Sequence, residues 1–376
     1  MKPAGLIVFL LLFLTAPVQA QPRGDARRGG VVFRERGCLD CHSFQGAGTG
    51  SAPDLSRQPG SEYTPARVAA LMWNHAPSMW RTMQKKGMEV PALSERELGD
   101  MFVYFYSARF FEPAGDTNRG KAVFTVKNCA ACHSANVQKA GPPISEWDEV
   151  GDPVAWIRQM WNHSATMHEK MRQKRLAWPR LTGQELSDLL VYFKNLPAAR
   201  SRAASFSSAD PQEGSRVFDR KNCSTCHVLR DVQPGKITLP NASAPLHSLA
   251  DIAAAMWNHA PDMQRRSKGD VPVATFSGNE MDNLIGYLFW LGFFDEKGEV
   301  GRGGKVFTSK GCVDCHTKGP GPDLPQMLGK ATPESLMSAV WRHGPKMLAT
   351  MEERKRAWPQ FAGSDMADLI AYLNRK

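Results

Sequence analysis

All eight cysteines of the chain fall into four pentapeptides: CLDCH at 38–42, CAACH at 129–133, CSTCH at 223–227 and CVDCH at 312–316. Two thiols three positions apart, with an imidazole beside the second, suit three kinds of chemistry. They can hold zinc, cycle as a redox dithiol, or add across the vinyl groups of a haem while the histidine lies under the iron. Zinc needs pairs of C-x-x-C close enough to share an ion, and it leaves the histidine unexplained each time. A thioredoxin-like dithiol needs βαβ surroundings, which are absent here. Four C-x-x-C-H motifs with no cysteine left over therefore read as four covalent haem c sites. Cys38, Cys41, Cys129, Cys132, Cys223, Cys226, Cys312 and Cys315 are the attachment points, and His42, His133, His227 and His316 the proximal iron ligands. A disulfide framework is the first reading of an even cysteine count in an exported chain, and these positions argue against it.

A second segment recurs with the first: WNHAPSM at 73–79, WNHSATM at 161–167, WNHAPDM at 257–263 and WRHGPKM at 341–347. Each offers a histidine and, four residues later, a methionine, both able to bind iron from the side opposite the proximal histidine. On an unbroken helix the two share a face. Pro77, Pro261 and Pro345 stand between them and are expected to end or kink it.

Both motifs belong to a unit of about ninety residues, since the first cysteines are 91, 94 and 89 residues apart. Each unit begins with G-x-x-V-F (Gly29–Phe33, Gly120–Phe124, Gly214–Phe218, Gly303–Phe307), its phenylalanine five residues ahead of the first cysteine. A proline-bearing loop follows the haem motif (SAPDLS, GPPIS, SAPLHS, GPGPDLP), then a helix ending at the W-x-H segment. An acidic, apolar-periodic helix closes the unit: ERELGDMFVYF, GQELSDLLVYF, GNEMDNLIGYLF and GSDMADLIAYL, containing Tyr104, Tyr192, Tyr287 and Tyr372. Strands are hard to find, so the fold class is all-α.

Through these pieces the chain resembles the class I c-type cytochrome family, four times over and along nearly all its mature length. The resemblance implies four tandem helical domains, each wrapped around a haem, with first and last helices crossing at the glycine and phenylalanine packed near tyrosine. It also implies that a loop proline carbonyl accepts from Nδ1 of the proximal histidine: Pro53, Pro142, Pro322 and, less clearly because the third loop carries an insertion, Pro245. The family's distal ligand is usually a methionine just before a proline. Here that place is taken by Val90, Trp178, Val271 and Trp358, which cannot bind iron. Matching Asn74 to the family's asparagine puts Met79, and by the same step Met167, Met263 and Met347, on its methionine; Arg342 replaces the asparagine in the fourth unit. His75, His163, His259 and His343 are the alternative, and the choice sets the redox range, since thioether sulfur favours Fe(II). Met83, Met171 and Met351 have Ser267 as their third counterpart and cannot be the general ligand. The tryptophans are expected to pack on the haem or the closing helix, making the segment a lid over the distal face.

Units one and three share WNHAP and a Val-Pro, while units two and four share AWP, which indicates a duplicated pair. The expected domains are 21–112, 113–200, 213–296 and 297–376, with a linker at 201–212. Compact joints around Gly115 and Gly298, and an Ala/Ser/Arg/Pro-rich stretch between the halves, suggest two rigid two-haem modules hinged between about Pro197 and Gln212.

Residues 1–20, with one lysine, an apolar core from Leu6 to Leu14 and a cut after Ala20, have the layout of a secretory signal peptide, which implies export to a periplasm. No later segment is long enough to span a membrane. A net charge of +10 comes from basic residues interleaved with acids, which reads as a mixed solvated surface and not as a nucleic-acid site. No catalytic base or nucleophile stands out, and His168 and His247 have no counterparts in other units. The expected function is single-electron transfer between redox proteins, with no small-molecule substrate. The alternatives are the cytochrome subunit of a larger dehydrogenase or respiratory complex, and a reductase or peroxidase with one open iron.

Overall fold

The computed structural model describes residues 24–375 apart from 45, 57–62, 112–113, 148–151, 197–209, 230–231, 240–246, 268–272, 295–296 and 318. The expected signal peptide, nearly all of the linker, Pro245 and the Val271–Pro272 pair lie outside the described residues.

The described chain is mostly helical. The first repeat holds α1 (Ala26–Glu35), α2 (Pro65–Lys85) and α3 (Glu95–Ser107); the second α4 (Thr117–Val126), α5 (Pro153–Gln173) and α6 (Gly183–Lys194). The third holds α7 (Pro211–Arg220), α8 (Leu249–Arg266) and α9 (Glu280–Leu291); the fourth α10 (Val300–Ser309), the short α11 (Leu324–Leu328), α12 (Pro333–Glu353) and α13 (Asp365–Leu373). Two small sheets were not expected: β1 (Ser43–Phe44) pairs antiparallel with β2 (Ala47–Gly48), and β3 (His227–Leu229) parallel with β4 (Ile237–Leu239). Both are local to the loop after a haem motif.

In every repeat the first helix crosses the closing one where the glycine of G-x-x-V-F leaves no room for a side chain. A Cβ on Gly29, Gly120, Gly214 or Gly303 would collide with the backbone of Asp100, Asp188, Asn283 or Asp368. Beside each crossing the phenylalanine meets the tyrosine, with ring centroids 6.1, 5.8, 6.2 and 5.4 Å apart. Phe33 is 1% exposed, and burying such a ring stabilises by roughly 1.5–3 kcal/mol.

A polar anchor locks the crossing. The buried Asp100, Asp188 and Asp368 each accept from the N–H of the residue capping the first helix (Asp25, Asp116, Glu299) and from an arginine one turn in (Arg28, Arg119, Arg302). In the third repeat Asn283 takes the N–H of Asp210. The arginine position there is Glu213, which pairs with Arg216 and Arg220. Loss of the carboxylate and loss of the arginine thus go together.

Between repeats, the packing runs across the two halves. Helix α2 packs on α12 and α13, and α3 on α12; α5 packs on α8 and α9, and α6 on α8. Repeat one therefore docks on four, and repeat two on three. No helix pair of repeats one and two, or of three and four, packs comparably among the described residues. Repeats one and three meet through Tyr106, whose buried hydroxyl donates to Phe289 O at 2.6 Å and whose ring lies against Phe289, Trp290 and Phe293. This corrects the expectation of two hinged modules. The long helices carry aromatic faces that a free hinge would leave in water, and cross-docking buries them.

Candidate haem-attachment sites

The four C-x-x-C-H motifs are placed by one local device. The first helix ends on a residue in the left-handed region, Gly37 (φ 74°), Asn128 (65°), Asn222 (61°) or Gly311 (75°), which reverses the chain into a single 3₁₀ turn starting at the first cysteine. Glycine and asparagine tolerate that conformation best, so a Gly or Asn directly before each motif was a readable signal that sequence reasoning passed over. One residue further back, Arg36, Lys127, Lys221 and Lys310 pair with Glu97, Glu185, Glu280 and Asp365 of the closing helix, fixing the turn against it.

All eight thiols are free. Burial raises the first thiol of each motif, Cys38 to about 12 and Cys129, Cys223 and Cys312 to about 11, so these are neutral apolar-facing groups and not exposed thiolates. Among the described residues no three His, Cys, Asp or Glu converge on one point as zinc would need.

His42, His133, His227 and His316 are half-buried. Three donate Nδ1–H to a loop carbonyl: His42 to Pro53 at 3.0 Å, His133 to Pro142 at 3.0 Å and His316 to Pro322 at 2.9 Å. A carbonyl can only accept, so the proton sits on Nδ1 and the Nε2 lone pair is left for a metal. Gly141 and Gly321 let the loop fold against the ring; a Cβ on Gly321 would stand 2.9 Å from His316 Nδ1. The Nδ1 of His227 is buried and unpartnered among the described residues. Its repeat is the one whose loop carries the insertion. Burial, and then His259, hold His227 below the ordinary histidine range against an opposing backbone contact with Ile237.

The W-x-H segments correct one expectation. Helices α2, α8 and α12 continue through Pro77, Pro261 and Pro345, so histidine and methionine do share a face. On that face His75, His163, His259 and His343 are exposed, and Met79, Met167, Met263 and Met347 half-buried. Three histidines donate Nδ1–H to the carbonyl four residues back: His75 to Leu71 (2.8 Å), His163 to Gln159 (2.9 Å) and His259 to Ala255 (2.8 Å). The C-terminal end of α2 approaches the first motif, with Lys86 Nζ 3.3 Å from Cys41 Sγ. The methionine lies one turn nearer that end than the histidine.

Tryptophan and asparagine bond outside their own repeat. They reach into the docked repeat, at the segment leading into its closing helix. Asn74 takes both backbone groups of Phe361, Asn162 those of Phe276 and Asn258 those of Leu181, at 2.8–2.9 Å. Two residues earlier in each receiving segment, Pro359 O accepts from Trp73, Ala274 O from Trp161 and Pro179 O from Trp257, each at 2.7 Å.

The prolines have a use in this contact. Proline has no N–H, so Pro77 frees the carbonyl of Trp73 and Pro261 that of Trp257. Trp358 Nε1 donates to Trp73 O and Trp178 Nε1 to Trp257 O, both at 3.0 Å, and the indole pairs stack at 4.8 and 4.2 Å. Repeat two has Ala165 at this position, and the repeat docked on it has Val273 three residues before Phe276, where Trp178 and Trp358 precede Leu181 and Phe361.

The residues present fit a covalently held haem in each repeat: free paired thiols on a fixed turn, an adjacent imidazole whose Nε2 is left free in three of the four, and a long helix bearing histidine and methionine. The Cytochrome c family model matches residues 117–197, the second repeat from α4 to the end of α6. No curated protein and no solved structure matches the chain. No helix among the described residues is long and apolar enough to cross a membrane.

Proposed function

We propose that the protein is an exported tetrahaem c-type cytochrome, four tandem cytochrome c domains at 21–112, 113–200, 213–296 and 297–376, that passes single electrons between redox partner proteins. The observation that carries this reading is the fourfold recurrence of one local structure, a left-handed turn leading into C-x-x-C-H, with Nε2 of the histidine left free by an Nδ1–H bond in three of the four. The family match over 117–197 supports it for the second repeat, and the same crossing in the other three extends it.

Bound haem supplies one-electron iron chemistry; the chain's part is to hold and tune it. Cys38 and Cys41, Cys129 and Cys132, Cys223 and Cys226, and Cys312 and Cys315 fix the two edges. Pro53, Pro142 and Pro322 orient the proximal rings of His42, His133 and His316 and raise their basicity, and among the described residues no proline carbonyl does so for His227. The apolar helix faces exclude water, which keeps the redox change from being solvated away.

For the distal ligand we favour Met79 and, by the same position in the repeat, Met167, Met263 and Met347, because Met79 lies one turn nearer than His75 to the end of α2 that approaches the attachment turn. A second reading has a specific observation behind it: His75, His163 and His259 already have Nδ1 engaged, as metal-binding histidines do. The test is the mass of the mature protein together with the near-infrared spectrum of its oxidised form. Four haems with a methionine–Fe(III) band for each are expected. A missing band transfers the role to the histidines, and carbon monoxide binding to the reduced protein would reveal an open, enzyme-like iron. Fewer than four haems overturns the tetrahaem reading.

A further inference from the structure

The order of the repeats along the chain is not their order in space. Among the described residues the helices of repeat four pack on repeat one, repeat one also meets repeat three, and repeat three docks on repeat two. We propose, resting on the tetrahaem reading above, that the haem sites are wired in the spatial order four, one, three, two, with repeats four and two as the entry and exit ends. In each step one electron leaves Fe(II) at one site, oxidising it to Fe(III), and reduces Fe(III) at the next. No bond is made or broken and no proton is needed.

Electron transfer between fixed centres falls steeply with separation and is fastest through closely packed matter, so the wiring follows the contacts and not the covalent chain. The outer steps cross α2–α12 and α8–α5. In each of these pairs the ligand-bearing helices lie against one another, so the helices that face two haem sites are themselves in contact. Beside both helix contacts, tryptophans of α2 and α8 stack on the segments that lead into α13 and α6. Trp73 stacks on Trp358 at 4.8 Å with Trp80 edge-on to Trp358 at 5.6 Å, and Trp257 stacks on Trp178 at 4.2 Å. The central step crosses the cluster of Tyr106, Phe110, Phe289, Trp290 and Phe293, joined by the buried hydrogen bond from Tyr106 to Phe289 O. Arg81 and Glu352, 2.6 Å apart, add a rim contact between repeats one and four.

The sequential order, one to four along the chain, would run through two joints where no comparable packing exists among the described residues. The two orders differ sharply on one point. In chain order, the first haem is a terminus whose loss leaves a working three-haem relay. In spatial order it is interior, and its loss isolates repeat four.

The test uses mature protein in which two motifs at a time have both cysteines changed to alanine, leaving a chosen pair of haems. Magnetic coupling between the two remaining ferric irons, measured from relaxation or dipolar broadening in electron paramagnetic resonance, reports their separation. Stronger coupling is expected for pairs four–one, one–three and three–two than for one–two and three–four. The reverse ranking overturns the proposal. Mass spectrometry of the parent separates the two failures, because fewer than four haems there defeats the tetrahaem reading and not the order.

Variants that do not fold are replaced by the four-haem chain carrying Asn74→Ala or Asn258→Ala, which loosens one dock and leaves every haem motif intact. Flash reduction should then show a several-fold slower redistribution of electrons within the molecule. An unchanged redistribution, with the dock shown to be loosened by hydrogen exchange, also overturns the proposal.

Discussion

The dock between repeats three and two and the dock between repeats one and four are built from the same helices, yet they divide polar and apolar work differently. In the first, both halves make the full set of bonds: Trp257 and Asn258 into repeat two, Trp161 and Asn162 into repeat three. In the second, only the half donated by repeat one does so. On the other side Arg342 stands where asparagine would, and it turns back to Ser338, whose hydroxyl bridges to Leu93 O at 2.7 Å. Trp341 Nε1 is left buried without a partner among the described residues. Packing compensates, since Trp80 lies over Gly344 so closely that a Cβ there would enter its ring. At the matching place in the other dock, Gln264 donates to Ser164 Oγ at 3.1 Å. The difference shows that one face of a duplicated interface can exchange hydrogen bonds for ring contact without changing which repeats meet.

The sharpest way to break this balance is Gly344→Val. The added methyls have no space beside Trp80, and overpacking of this kind should cost about 3 kcal/mol, read as a lower denaturant midpoint with an unchanged slope. Arg342→Ala, on an exposed side chain, should move the midpoint hardly at all. Next in size is Asn258→Ala, which leaves both backbone groups of buried Leu181 unpaired and should cost about 2 kcal/mol; Ser338→Ala, removing one bridge in the other dock, should cost about half as much.

Trp358→Phe should cost about 1 kcal/mol, because the carbonyl of Trp73 loses its donor. Adding Pro77→Ala returns an in-helix N–H to that carbonyl, so the double variant should recover part of the loss. A double-mutant cycle measures the coupling, and strict additivity would show that the proline and tryptophan are not linked.

The smallest effect at neutral pH separates repeat three from its neighbours. Burial pushes the carboxyls of Asp188 and Asp368 up, but Arg119 and Arg302, the capping N–H groups, and Gln184 or Ser364 outweigh it and hold both below the usual range. A depressed folded-state pKa gives stability that is present above the unfolded value, about 3.9, and is lost as pH falls through the folded one. Hydrogen exchange in α6 and α13 should therefore rise below about pH 4, while α9, anchored by Asn283, lacks this contribution. Asp188→Asn should abolish the pH response in α6.

Much of the candidate site was legible because it is local. C-x-x-C-H carries its own chemistry within five residues, and the glycine, phenylalanine and tyrosine of each crossing repeat at spacings a helix imposes. The Gly or Asn before each motif was equally local and was missed only because a single left-handed residue has no periodicity to reveal it. The Arg–Asp anchors were harder, since their partners are about seventy residues apart and only the joint exchange in repeat three, Glu213 with Asn283, betrays them.

The role of the W-N-H segment was not legible. Trp73 and Asn74 bond to residues nearly three hundred positions away, in a repeat that is not a chain neighbour. The prolines were read as helix breakers because a proline deprives its own helix of a hydrogen bond. That reasoning holds for an isolated helix and fails where a docked indole takes up the freed carbonyl. Four C-x-x-C-H motifs and the helices around them follow from residue order, because both rest on short-range geometry. That repeat four meets one and repeat two meets three follows only from long-range packing, because it depends on which aromatic faces can bury each other once every unit has folded.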